Sequence, residues 1–178
     1  FCSVHGEQQS EYLDPHNYNP SLKKKNDINR LINILDYQAN KNQDHTYVVH
    51  QRKVYHNVPL WVLINTLTYG QISKLYTLLP SQIQSSISKN FPHVKEKTLE
   101  QYLKILTLFR NVCAHNERLY SFRTQIDFPD TKLHDKLGIP KKGIQYVYGK
   151  RDLFGVVIAF HYLLPKESFL DFKSSLIK

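Results

Sequence analysis

Between Thr98 and Cys113 the apolar residues Leu99, Tyr102, Leu103, Leu106, Phe109 and Cys113 recur three or four positions apart. This spacing draws one apolar stripe along a helix and leaves the opposite side polar. Such a stripe must be covered by other elements, so it constrains the fold more than any other feature of the chain. Thr98 and Gln101 have the spacing of a capping box, which predicts the start of this helix. A second amphipathic helix is predicted from Asp27, a possible N-cap, to about Asn40, with Ile28, Leu31, Ile32 and Leu35 on its apolar face. Alternation of period two is nearly absent, and only Tyr47-Val48-Val49 suggests a short extended piece. The fold class expected is all-α, a helical bundle.

The remaining segments fit that expectation. The first twenty residues lack a sustained period and run into Lys23-Lys24-Lys25, so 1–26 is expected to be a loop or tether, with a single helical domain over 27–178. Pro59 suits the opening of a helix over Leu60 to Tyr69, with Gly70 as its stop. Short helices are expected over Gln71 to Leu79 and Ser81 to Asn90, on either side of Pro80. Pro129, Gly138, Pro140, Gly143 and Gly149 predict a long loop with at most one short helix, and two closing helices follow over Arg151 to Leu164 and Lys166 to Ile177. Trp61 is expected in the core. His161 is expected to be a hydrogen-bonded core histidine, near an apolar face of Phe154, Val157 and Ile158.

The 178 residues carry a formal charge of +9 and a pI near 9.4, which favours a polyanionic partner such as RNA. Cys2 and Cys113 lie far apart in sequence and the second falls inside an apolar helical pattern, so a disulfide framework is not expected. A chain that begins with Phe and shows no signal-peptide pattern is expected to be part of a longer, cytoplasmic protein, and its apolar runs are too short or too interrupted to span a membrane. His45, His50 and His56 lack the pairing of a zinc site, so no metal or other cofactor is expected. The Gly-rich phosphate loops, the dinucleotide turn and the nucleophile elbow do not occur.

Arg110-Asn111-Val112-Cys113-Ala114-His115 ends the principal helix. Asn111 and His115, four residues apart, share a face; Arg110 stands about 140° from His115 but is long enough to reach round. RNA cleavage without a metal needs a base for the 2′-hydroxyl, an acid for the leaving oxygen and a cation for the charged phosphorane. Histidine, with an unperturbed pKa of about 6.5, suits the proton transfers. Arginine suits the phosphorane, and Asn111 would orient the imidazole or a phosphate oxygen. Six arginines and nine histidines in 178 residues give roughly 0.3 chance occurrences of this spacing, so spacing alone is weak evidence. Context adds to it: Arg118, Tyr120 and Arg123 follow closely, and cations interleaved with an aromatic ring suit RNA binding. One segment supplies one histidine. A two-fold homodimer with the active site at its interface is therefore a mechanistic expectation.

The run from Arg110 to Tyr120 resembles the signature of the abortive-infection (Abi) family that includes AbiD and AbiF, and also the Arg-Asn-x-x-x-His form of the HEPN ribonuclease motif. The block from Pro59 to Tyr76 is similar to that family's other recognisable block. The resemblance runs from about Tyr12 to Arg123 and more loosely to the C-terminus. It implies a HEPN-like helical bundle and a phage-defence or toxin-like endoribonuclease, metal-independent and dimeric, with an antitoxin or regulatory RNA as a further partner. It also implies that a helical portion usual at the family's N-terminus is missing. The sequence departs from the family pattern at Asn65, at Asn116-Glu117 and at Tyr120. A catalytically silent HEPN module that binds RNA or a protein partner is the alternative.

Overall fold

The computed structural model describes residues 1–177 and is all-α apart from one two-residue hairpin. Contacts divide the chain into two compact units, Phe1–Ile87 and Ser88 onward.

The first unit contains α1 (Cys2–His5), α2 (Gln9–Leu13), α3 (Lys25–Asn40), α4 (Thr46–His50), α5 (Leu60–Leu63), α6 (Tyr69–Leu78) and α7 (Ser81–Ser88), the last ending at the boundary. Its first twenty residues do not form the expected loop or tether. They fold into short helices because two tyrosines anchor them: Tyr12 and Tyr18 are buried, and each satisfies its hydroxyl on a backbone carbonyl, Tyr12 on Val58 and Tyr18 on Tyr12, both at 2.7 Å. Helix α3 buries Ile28, Leu31, Leu35 and Ala39 on one face, as its periodicity predicts. Arg52 closes its C-terminal end, donating to the carbonyls of Ala39 at 2.9 Å and Asn42 at 3.2 Å.

Three local expectations fail in this unit. Tyr47-Val48-Val49 is helical, with Val48 buried, and α4 continues as a π-helical turn that ends at His56 in the left-handed region. Gly70 lies inside the first turn of α6, because Thr68 and Gln71 form a capping box that restarts the helix there. Trp61 is 56% exposed, since α5 turns Leu60, Val62 and Leu63 inward and leaves the indole outside.

The second unit is built on α8 (Glu96–Ala114), which buries Leu99, Tyr102, Ile105, Leu106, Phe109 and Val112. The predicted stripe is correct along most of its length, but Cys113 at its end is exposed. Thr98 does not cap the helix, which begins after Lys95, and Gln101 donates instead to the carbonyl of Asp127. The segment after α8 folds back onto it through aromatic rings. Phe122 meets Phe109 edge-on at 5.1 Å, and Phe128 lies 6.0 Å from Phe109 and 6.3 Å from Tyr102.

The breaker-rich stretch contains one short helix, α9 (Lys132–Lys136), and an unpredicted hairpin of β1 (Lys141–Lys142) and β2 (Gln145–Tyr146), in antiparallel register with Lys141 opposite Tyr146. His134 is fully buried. Its Nδ1 accepts the Thr131 N–H, which leaves Nε2 to donate to the Gly149 carbonyl. Asp152 caps α10 (Leu153–Leu163), accepting from the N–H groups of Gly149 and Gly155. The buried face of α10 is Gly155, Val156, Ile158 and Ala159, displaced from the face inferred through Phe154 and Val157. His161 is accordingly exposed, packed edge-on against Tyr162 and Phe169 rather than held in the core. Helix α11 (Lys166–Ile177) follows Pro165 as expected.

Candidate functional site

Phe109 and Val112 are drawn into the core of the second unit, and this fixes which way the end of α8 faces. The residues between and after them, Arg110, Asn111, Cys113 and Ala114, are exposed in consequence. Arg110 Nη1 lies 3.5 Å from Asn111 Oδ1, at the outer limit of a hydrogen bond, so the guanidinium and the amide are neighbours held only loosely.

His115 is the residue at which the helix stops. Its N–H still donates to the Asn111 carbonyl at 3.0 Å, but its own backbone has left the helical region. Asn116 then adopts φ 55°, in the left-handed region. The N–H of Asn116 donates to the Cys113 carbonyl at 3.3 Å and that of Glu117 to the Val112 carbonyl at 3.0 Å. These two bonds make a Schellman cap, which satisfies carbonyls the helix would otherwise leave open. Asn tolerates this backbone because its short polar side chain compensates part of the left-handed cost. The cap turns the chain sharply after His115 and leaves the imidazole exposed, with no side-chain hydrogen bond among the described residues.

The three residues singled out for RNA binding lie on the next stretch. Arg118 precedes a short 3₁₀ turn, Leu119–Ser121, and Tyr120 on that turn is 71% exposed. Arg123 is exposed and donates through Nη1 to the Phe122 carbonyl at 3.1 Å. Phe122, seated on Phe109, pins this segment to α8. Among the described residues Arg110, Arg118, Arg123 and His115 have no ion-pair partner. The three guanidinium charges are therefore open to an external anion. The structure gathers Arg110, Asn111 and His115 at one helix end, and it brings only the first two into side-chain contact.

A family described as Abi-like protein matches residues 1–121. The chain belongs to this Abi-like family. The match takes in the Pro59 to Tyr76 block and the Arg110 to Tyr120 run, as the resemblance implied, and it also covers the first eleven residues. No curated protein and no solved structure matches the chain.

Two residues that shape the site escaped the sequence reading. Asn116 registers only as a departure from a family pattern, yet an Asn just past an apolar helical run is itself a C-cap signal. Phe122, between Ser121 and Arg123, has no periodic partner to mark it as an anchor. Among the described residues no three His, Cys, Asp or Glu side chains gather as a metal cluster. No helix among them is long and apolar enough to cross a membrane.

Proposed function

We propose that this Abi-like protein is a metal-independent endoribonuclease in which His115 transfers the proton, Arg110 neutralises the phosphorane and Asn111 orients one of these groups or a phosphate oxygen. The observation that carries this reading is the exposed end of α8, where a guanidinium, an amide and an imidazole lie close together in the chain and no internal ion pair consumes the guanidinium charge. Arg118, Tyr120 and Arg123 extend the cationic surface and supply a ring on which a base can stack. Family membership supports a setting of abortive infection and phage defence, and a toxin-like role in the cytoplasm fits that setting.

One chain supplies one exposed histidine to this site, which is half of an acid–base pair. A HEPN-like homodimer that faces two such helix ends across one cleft completes the site. The same openness favours the second reading, a silent HEPN module that binds RNA or a protein partner through this surface.

Cleavage assays on RNA separate the two. His115→Ala is expected to abolish cleavage while leaving helicity unchanged, EDTA to have no effect, and the products to carry 2′,3′-cyclic phosphate ends. Full activity in His115→Ala would remove His115 from the mechanism. Salt-dependent RNA binding without cleavage products would favour the silent module. In a mixture of Arg110→Ala and His115→Ala subunits the mixed dimer holds a single His115, so a site that needs both histidines stays inactive, whereas recovered activity means that one His115 suffices and works with the Arg110 of the other chain.

A further inference from the structure

The stretch from Lys132 to Tyr148 carries side chains that neither the core nor the end of α8 uses. Lys132, Lys136, Lys141 and Lys142 stand there against one acid, Asp135. That carboxylate already accepts the Tyr146 hydroxyl at 2.6 Å and faces Lys141 at 3.6 Å. Lys132, Lys136 and Lys142 have no ion-pair partner among the described residues. The same stretch leaves Leu137, Ile144, Val147 and Tyr148 exposed.

The hairpin has an inner and an outer face, because opposite residues of an antiparallel pair share a side and successive ones alternate. Lys141 and Tyr146 form the inner pair. The Tyr146 ring is buried, lies 4.6 Å from the ring of His134 and holds the Lys141 ammonium 4.3 Å from its centre. Lys142 and Gln145 form the outer pair, and Val147 continues it, its N–H donating to the Pro140 carbonyl at 2.9 Å. Gly143 and Ile144 make the turn between the strands. Gly143 takes φ 67°, which a tight hairpin turn asks of its first residue. The fold gives no such reason for Ile144. Turns favour small polar residues, and this aliphatic side chain is 91% exposed at the tip, anchored from behind by buried Tyr146.

A turn is convex, so it enters a medium rather than enclosing a ligand. An RNA backbone would use the lysines and leave Ile144 in water. An anionic bilayer surface uses both, since its headgroup phosphates attract the ammonium groups and its acyl boundary takes the aliphatic tip. Lysine stems and tyrosine rings suit that boundary, each having an apolar body and a polar end. We propose that the β1–β2 hairpin docks this protein on an anionic lipid surface, with Ile144 inserted past the headgroups and Lys132, Lys136 and Lys142 supplying the attraction. That attraction sums over charges within a Debye length of the surface, so it needs no fitted phosphate site. The contact is peripheral and needs no spanning helix.

Co-sedimentation of the full chain with vesicles tests the proposal, using phosphatidylcholine alone and an equimolar mix of phosphatidylcholine and phosphatidylglycerol. The chain is expected to bind the mixed vesicles, to bind phosphatidylcholine at least about tenfold more weakly, and to be released by salt. Ile144→Asp is expected to lower partitioning about tenfold or more, and Lys142→Ala about fivefold, with melting temperatures unchanged because both side chains are exposed. In a Trp61→Phe background, the emission of Ile144→Trp is expected to shift to the blue on the mixed vesicles, which reports insertion of the tip. Absence of binding to the mixed vesicles overturns the proposal, as does equal binding to both kinds. Binding that Ile144→Asp leaves unchanged, or an Ile144→Trp emission that does not shift, overturns insertion of the tip. Loss of RNA binding in Ile144→Asp with vesicle binding intact would assign the hairpin to RNA instead.

Discussion

Replacing Asn116 tests the link between the helix cap and the candidate catalytic histidine. At φ 55° an ordinary L-residue carries a left-handed penalty of roughly 1–2 kcal/mol, Asn carries less and Gly almost none. Asn116→Gly should therefore match or exceed the parent's stability, Asn116→Ala should lose about 0.5–1 kcal/mol, and Asn116→Val should lose at least about 1–2 kcal/mol because a β-branched residue is a true outlier there. With a urea dependence of about 2 kcal/mol per molar, a loss of about 1 kcal/mol lowers the midpoint by roughly 0.5 M. Urea unfolding followed by far-UV circular dichroism measures this series, and cleavage of a labelled RNA is measured at a temperature where every variant is folded. Val should lower cleavage beyond its effect on the folded fraction, because relieving the strain unwinds the turn that presents His115, whereas Gly should retain cleavage. Equal midpoints for the Gly and Val variants would refute the capping argument, whatever happened to cleavage.

Three further outcomes follow from the packing. A methyl group added at Gly155 would overlap the Phe128 ring and come within 2.9 Å of the Gly149 carbonyl, so Gly155→Ala should destabilise by about 1–3 kcal/mol or more, seen as a lowered melting temperature. Trp61, 56% exposed, should be replaceable by Ala with a change within about 1 kcal/mol in the same assay, and a loss several times larger would mean that the indole is buried in solution. Asp27 pairs with Lys74 at 2.6 Å, and the hydrogen bond and charge of that lysine hold its carboxyl below the ordinary range. A depressed carboxylate contributes its stability above the unfolded pKa of about 3.9 and loses it as pH falls through the lower folded value. Unfolding midpoints measured from pH 7 to pH 3 should therefore drop less steeply at the acid end for Asp27→Asn than for the parent, and parallel profiles would remove the pair from the acid response.

What the sequence shows of this fold follows from which interactions are local. The apolar stripes of α3 and α8 can be read directly, because residues three and four apart must share a face whatever packs against them. The closing helices around Pro165 can be read for the same reason, since a proline interrupts a helix by its own covalent structure. The errors fall where a distant partner decides. Residues 1–20 look like a tether because they lack a period, but Tyr12 and Tyr18 are fixed by single long hydrogen-bonded side chains, which need no period. Gln101 has the spacing of a capping residue, and it is taken instead by a carbonyl at Asp127. Trp61 looks like core by residue type, and only the turn of α5 shows that its three neighbours already fill the inward positions.

The candidate site divides along the same line. Arg110, Asn111 and His115 can be found from sequence because chemistry and helical spacing coincide in one short run. Their presentation cannot, because it depends on two anchors that carry no reactive group. Phe109 and Val112 rotate the helix end so that the polar residues face outward, and Asn116 stops the helix one residue after His115. A helix continued by one more turn would leave His115 on a regular surface with its backbone N–H and carbonyl both spent inside the ladder. The Schellman cap instead places it at a corner, after which the chain carries Arg118 and Arg123 back under the hold of Phe122 on Phe109. Under the proposed dimer, this corner is the part of the chain that would face a second copy of itself. The departure from the family pattern at Asn116 is thus compatible with the proposed chemistry, since the left-handed position asks for a residue that accepts φ above zero and does not ask for a reactive one.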